Sequence, residues 1–217
     1  QITGIHTTAS TDKLELEPYV LGGGQRTYNP KETESRFDYG GDVRYHFSPN
    51  LRGDLSFNTD FAQVEADQEV VNFSRFPLFF PEKREFFLEN AGLFTYAFPG
   101  DVQYFYSRRI GRPPQGRAGG DGHVRYPDWT TILAAGKLSG TIGDGWKLGL
   151  LAALTQREYA EIDLDGDRSG WEIEPSAGFS VMRLQKEFGQ GRQGLGFIAT
   201  SVLRDLRTAD LSSLMSR

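Results

Sequence analysis

Residues 39–58 read YGGDVRYHFSPNLRGDLSFN. Val43, Tyr45 and Phe47 alternate with Asp42, Arg44 and His46. Ser48, Pro49 and Asn50 are turn formers. Leu51, Gly53, Leu55 and Phe57 then alternate with Arg52, Asp54, Ser56 and Asn58. A period of two on both sides of a short turn predicts a β-hairpin with one apolar face and one face carrying charges of both signs. Two settings produce that pattern. A soluble antiparallel sheet keeps one face on a core and one in water. A membrane barrel keeps lipid outside and water inside.

The same alternation recurs outward from this hairpin. In Lys13–Val20, Leu14, Leu16, Pro18 and Val20 oppose Lys13, Glu15, Glu17 and Tyr19, and Pro18 suits an edge strand. From Thr131, the residues Ile132, Ala134, Gly136, Leu138 and Ile142 oppose Lys137, Ser139 and Thr141. Past a Gly143–Gly145 turn, Trp146, Leu148, Leu150, Ala152 and Leu154 oppose Lys147, Thr155 and Arg157, and Leu151 and Ala153 break the pattern. Residues 173–188 and 194–206 form a third hairpin around Gly189, Gln190 and Gly191, with weaker alternation. The connections divide into tight turns (48–50, 143–145, 189–193) and long loops (22–36, 60–128, 160–170). If the long middle segment adds an even number of wall strands, all tight turns fall at one end, as in outer-membrane barrels. Tyr39, Phe47, Trp146, Tyr159, Trp171 and Phe188 lie near strand ends, like the aromatic girdles of such barrels. The polar tail after Arg207 reads as a frayed end.

Residues 60–128 interrupt the strands. Within them, 72–89 read NFSRFPLFFPEKREFFLE, where Phe79, Phe80, Phe86 and Phe87 bracket Glu82, Lys83, Arg84 and Glu85. Such rings need burial and such ions need partners, which predicts a segment folded against or into the wall. Pro81 with Glu82 and Glu85 suits a helix start, and Gly92 a helix end. One or two turns of helix and one or two short strands are expected.

Composition narrows the classes. The chain has 217 residues, with 26 Gly, 16 Phe and 13% aromatics, a profile of an all-β protein with many turns. Net charge is −5 and no nucleic-acid motif occurs, so nucleic acid is not an expected partner. With no cysteine, disulfides, zinc–thiolate sites and cysteine nucleophiles are excluded. No apolar run reaches the ~18 residues of a membrane helix. Mean hydropathy of −0.47 is compatible with barrel strands and with a soluble protein alike. Gln1, with no initiator Met or signal peptide before it, reads as the start of a processed or excised piece.

The stretch FNTDFAQVEADQEVVNFSRFPLFFPEKREFFLENAGLF from Phe57, followed by FYSRRIGRPPQG from Phe105, resembles an uncharacterised family of bacterial outer-membrane β-barrel proteins. The likeness runs more loosely from Leu14–Tyr19 to Arg204–Leu206. In that family the barrel usually follows a carbohydrate-binding module related to family nine, and the barrel is longer than this chain. Members often carry Pro where Glu85 stands and near Thr59, both local departures. The resemblance implies an antiparallel up-and-down transmembrane β-barrel, or part of one, over 1–217, with 60–128 as an inserted, partly helical loop or plug. It implies a bacterial outer-membrane location, with outer-membrane lipid or lipopolysaccharide and a saccharide as partners. It carries no catalytic residue.

Four groups of residues are candidates for function. Arg75, Glu82, Lys83, Arg84, Glu85, Glu89, Arg108, Arg109 and Arg112 form a plug ion network, acting either as a rivet that braces the loop or as a gate. Arg108, Arg109, Arg112 and Arg117, beside Tyr104, Phe105 and Tyr106, could contact phosphate groups or pair with the glutamates. Asp163, Asp165 and Asp167 with Glu174 have calcium-loop spacing, although Arg168 stands where such loops need Gly. Calcium is the sole cofactor the spacing suggests. Trp129, Trp146 and Trp171 could stack on sugars, with strand-end anchoring as the alternative for Trp146 and Trp171. The expected role is non-enzymatic: a scaffold or passive passage for solutes. Its rivals are a soluble β-sandwich carbohydrate-binding module and a barrel subunit that docks in a larger membrane assembly.

Overall fold

The computed structural model of the chain describes residues 13–28, 31–58, 79–95, 97–98, 102–119, 122–164, 166–189 and 192–215. Its strands are β1 (Leu14–Tyr28), β2 (Lys31–Ser48), β3 (Leu51–Phe57), β4 (Ala97–Phe98), β5 (Val102–Gln103), β6 (His123–Arg125), β7 (Ile132–Ile142), β8 (Trp146–Thr155), β9 (Glu158–Leu164), β10 (Asp167–Glu174), β11 (Ala177–Phe188) and β12 (Gln193–Arg204). Its short helices are α1 (Glu85–Leu88), α2 (Ala91–Phe94) and α3 (Ala209–Met215). The described residues are mostly β, with few in helices, and the sheets are antiparallel.

Seven strands form one sheet in the order β1-β2-β3-β7-β8-β11-β12. Among the described residues β1 and β12 are free edges, so this sheet is open rather than a closed barrel. Pro18 sits on the β1 edge, where its missing N–H removes no bond of the interior ladder. The described residues between 60 and 128 add no strand to the large sheet. The turns at 48–50, 143–145 and 189–192 therefore all fall at one end, beside Leu51, Ile142 and Phe188.

The ladders fix which side chains share a face. One row across the sheet is Leu16, Val43, Leu55, Gly136, Ala152, Ser180 and Ser201, and the next toward the turns is Leu14, Tyr45, Gly53, Leu138, Leu150, Met182 and Ala199. This apolar face is bare: Leu16 is 62% exposed, Phe47 60% and Leu203 74%. The opposite face carries Glu15, Arg44, Asp54 and Lys137 side by side, with signs that alternate from strand to strand. It is this polar face that is covered.

The cover is the segment 79–112. Phe87, Phe94 and Ile110 are buried against Ala135, Leu151, Ala153 and Val181. Leu151 and Ala153 thus break the alternation because they receive these rings. Gly149 has no side chain where Phe94 crosses, and a Cβ there would stand 3.0 Å from the ring.

Several expectations are corrected. Residues 22–36 are not a loop but the outer part of the β1–β2 ladder, which continues to Tyr28↔Lys31. The loop expected at 160–170 is the β9–β10 hairpin, which with β6 makes a separate three-stranded sheet. The third hairpin begins at Ala177, because Pro175, fully buried between β10 and β11, cannot donate to a ladder. Tyr159 and Trp171 consequently belong to the small sheet, not to a girdle on the large one. The tail forms α3, and Leu211 is buried beside Gly116. The first helix starts at Glu85 rather than at Pro81, and Gly92 lies inside α2 instead of ending α1.

Candidate functional site

The segment that crosses the polar face is joined to it by charge. The side chain of Glu85 accepts a 2.8 Å hydrogen bond from Arg44 on β2. Arg44 also pairs with Glu17 at 3.0 Å and reaches Glu89 at 3.8 Å. Glu89 pairs with Arg52 on β3. Lys137 on β7, almost wholly buried, donates to the carbonyl oxygens of Phe86 (2.5 Å) and Glu89 (3.0 Å). Its charge is met by Asp54 at 3.6 Å, and Asp54 also contacts Arg52 at 2.8 Å. Asn90 donates to the Ser139 hydroxyl at 2.9 Å. The carbonyls at the end of α1 are thus capped by a wall lysine rather than by the chain's own next turn.

A second knot holds the segment's own shape. Arg84 is 6% exposed. Its guanidinium donates through Nε and Nη2 to the two oxygens of Glu82, at 2.7 and 2.6 Å. It also donates to the carbonyls of Ile110 (2.6 Å) and Ser107 (2.9 Å), and lies 4.2 Å from the centre of the Phe87 ring. The Ser107 hydroxyl donates to Glu82 at 2.5 Å. Burial works against the Glu82 carboxylate, but the Arg84 fork and Ser107 outweigh it and hold its pKa below the usual glutamate value. The Tyr106 hydroxyl closes the knot: it accepts from the Phe80 N–H at 2.9 Å and donates to the Phe80 carbonyl at 3.0 Å.

The proposed network is therefore divided. Glu85 and Glu89 face wall arginines, whereas Glu82 and Arg84 pair with each other. The backbone N–H of Lys83 donates to Glu82 at 3.1 Å. Arg108 donates to the Pro81 carbonyl at 2.8 Å and stands over the Phe80 ring. Arg112 reaches Glu174 at 3.3 Å. Arg109 lines a cleft between the segment and the inner side of β11 and β12, and makes no ion pair with a described residue. Arg75 lies outside the described residues. The wall residues Arg44, Arg52, Asp54 and Lys137 were not singled out in the sequence, where each reads as one more charge on a wet face.

The calcium-loop residues separate. Glu174 is buried, pairs with Arg112 and accepts the Gln115 N–H at 2.9 Å, at the far end of the β9–β10 ladder from Asp163. Asp163 accepts the Gly166 N–H at 3.1 Å and pairs with Arg168 across the hairpin. Asp167 begins β10 and Asp165 lies outside the described residues. Among the described residues no three His, Asp or Glu gather as metal ligands. Of the three tryptophans, Trp146 sits on the bare face at the turn end, with the Lys186 ammonium 5.5 Å from its ring centre and 6.0 Å from that of Phe188. Trp129 is exposed in the approach to β7, away from the other two in sequence.

No described helix is long and apolar enough to cross a membrane, which says nothing of strands. The family model for a domain of unknown function, DUF5916, matches residues 10–215, and the chain belongs to that family. No curated protein and no solved structure matches it.

Proposed function

We propose that this DUF5916 chain is a section of a bacterial outer-membrane β-barrel wall, non-enzymatic, whose segment 79–112 lines the inside and restricts a passage for solutes. One observation carries the reading: the apolar face is bare and the charged face is covered. A soluble one-sided sheet would bury the opposite face, because exposed apolar area costs roughly 25 cal/mol per Å². Bare leucines and aromatics, in central rows whose other members are small and uncharged, suit hydrocarbon. Along β8 the outward positions from Trp146 to Leu154 are apolar throughout. At ~3.3 Å per residue that is roughly 26 Å before tilt, close to the apolar band of outer-membrane barrels. Trp146 and Phe188 beside Lys186 suit the interface at the turn end.

Inside, the segment is fixed rather than swinging. Glu85, Glu89 and its helix-end carbonyls are taken by wall residues on β2, β3 and β7, and its buried phenylalanines pack over β8 and β11. This favours a permanent constriction, a rivet in the wall, over a gate. Saccharides remain the proposed solute class only through the family resemblance. The free edges of β1 and β12 favour a second reading, a structural subunit that completes its wall against another section, since unpaired edges seek strands.

The test is reconstitution. The chain is expected to need detergent for monodispersity, to insert into vesicles of outer-membrane lipid, and to become protease-resistant there. A chain that stays monomeric and folded without detergent would overturn the wall. Conductance separates passage from subunit: a pore gives discrete currents, whereas a docking subunit gives none until its partner is added.

A further inference from the structure

We propose that the cleft between residues 104–112 and the inner side of β11 and β12 binds a small anionic solute, a carboxylate- or phosphate-bearing molecule of about monosaccharide size. The inference deepens the passage reading by naming a solute chemistry for its lumen, and it rests on that reading only for its biological meaning.

Its cavity is about 220 Å³ and its lining is mixed, with aromatic rings on the segment and hydroxyls on the strands. Three arginines meet in it: Arg109 and Arg112 from the segment, and Arg204 from β12. The alternation that turns Ile198 inward toward the core carries Arg204 to the same side. A single carboxylate in the lining, Glu174, answers them, and it is committed to Arg112 and to the Gln115 N–H. Arg109 and Arg204 are both exposed, and neither guanidinium has a hydrogen bond or ion pair to a described residue. They act on Arg112 by like-charge repulsion, which adds to its burial in lowering its pKa. Guanidinium groups held together against their repulsion, with no carboxylate for two of them, leave forked donors suited to a carboxylate or phosphate. Tyr104, half-exposed, lines the cleft beside Phe105 and Tyr106. The cleft's far side is formed by Phe179 and Val181 of β11 and by Thr200, Val202 and Arg204 of β12, and its volume limits the ligand to a compact one.

The test uses the whole chain folded in detergent, titrated by calorimetry with galacturonate, with inorganic phosphate, and with galactose as the neutral match. Galacturonate is expected to bind, more weakly as salt rises, and galactose to bind at least tenfold less. Phosphate that displaces galacturonate assigns recognition to the charge alone. Phosphate that fails to do so assigns it to a carboxylated sugar, and either result supports the site. The double variant Arg109→Gln/Arg204→Gln is expected to weaken galacturonate by about tenfold or more, as loss of charge-assisted bonds requires. Arg168→Gln, on the β9–β10 hairpin and outside the cleft, is expected to leave it unchanged. Should the double variant misfold, Arg109→Gln alone, at an exposed position, gives the same reading. Equal affinity for galactose and galacturonate, no binding of any anion, or an unchanged double variant overturns the inference. None of these outcomes touches the wall assignment, which detergent dependence decides separately.

Discussion

A single buried guanidinium holds the inner segment in shape. Arg84 spends its donors on Glu82 and on the carbonyls of Ser107 and Ile110, which lie more than twenty residues further along the chain. Arg84→Met would leave the Glu82 carboxylate buried without its fork, a loss of about 3–5 kcal/mol for a broken buried pair. Hydrogen exchange across 79–112 is expected to accelerate accordingly, while the amides of β7 and β8 stay protected. Arg84→Lys keeps the charge but not the planar fork and is expected to fall between the two. Acid should act through the same pair. The folded pKa of Glu82 lies below the 4.5 of a free glutamate, so its contribution is present above 4.5 and is lost as pH falls through the lower folded value. Exchange of the segment is expected to rise only in that acid window, and in Glu82→Gln the pH step should vanish. How much of this site could be read from the chain follows from its geometry. The density of rings and ions at 79–89 announced a buried segment, and Glu85 and Glu89 were visible as charges in need of partners. Their partners were not visible. Arg44, Arg52, Asp54 and Lys137 stand on four-residue-period-free, strictly alternating strands, where a charge on the polar face looks the same whether it meets water or a folded segment. The signal was the sign order Glu15, Arg44, Asp54, Lys137 across neighbouring strands, and it appears only once the ladder registers are known.

At the scale of elements, the segment's grip on the wall divides into a charged half over β2, β3 and β7 and an apolar half over β8 and β11. Phe94 belongs to the second: it is buried, and its ring lies on the bare backbone of Gly149. Phe94→Ala is expected to lower the stability of docking by about 3–5 kcal/mol, as for other buried aromatic truncations. Limited trypsin digestion should then cut after the exposed Lys83, where the parent chain resists. Gly149→Ala presses a methyl against the same ring and is expected to have a smaller effect of the same sign, since Phe94 can shift to relieve it. The strands whose faces are unlike each other were legible from alternation alone, which is why β2, β3, β7 and β8 were found with their turns. The β1–β2 ladder beyond Gly22 was not. Gly22, Gly23 and Gly24 are exposed, no third strand pairs there among the described residues, and neither face is required to be apolar. Backbone pairing holds that ladder without writing a pattern into the side chains. The β9–β10 hairpin was hidden for a related reason. Its Ala160, Ile162 and Ile173 are buried, but its tip carries acids and glycine that read as loop. Among its described side chains α3 has one deeply buried anchor, Leu211, too little to stand out in a polar tail.

For the molecule as a whole, the deciding quantity is the solvent that meets the bare face. The outward rows across the centre of the large sheet hold no charged side chain on any of its seven strands. In water, Ala152→Arg would place a charge where a charge is welcome, and by the usual behaviour of surface substitutions the change would stay within about 0.5 kcal/mol. In hydrocarbon the same substitution sits near mid-depth and should cost about 2–4 kcal/mol. The contrast sharpens along one strand. On β8, Ala152 lies between Leu150 and Leu154, whereas Trp146 lies at the turn end beside Lys186. Trp146→Arg is therefore expected to cost only about 0–1 kcal/mol in the charge term, near the interface, on top of the lost aromatic anchor. Arg at position 148 or 150 should fall between them in order of depth. Equilibrium unfolding of each variant from lipid vesicles measures the series, and the inward Thr155→Arg, which leaves the outer face untouched, gives a control for steric damage to the strand. A penalty that grows from position 146 toward 152 locates the hydrocarbon. A flat series, with every arginine tolerated alike, would mean that water meets this face, and the apolar rows would then have to be covered by a protein surface instead of a membrane.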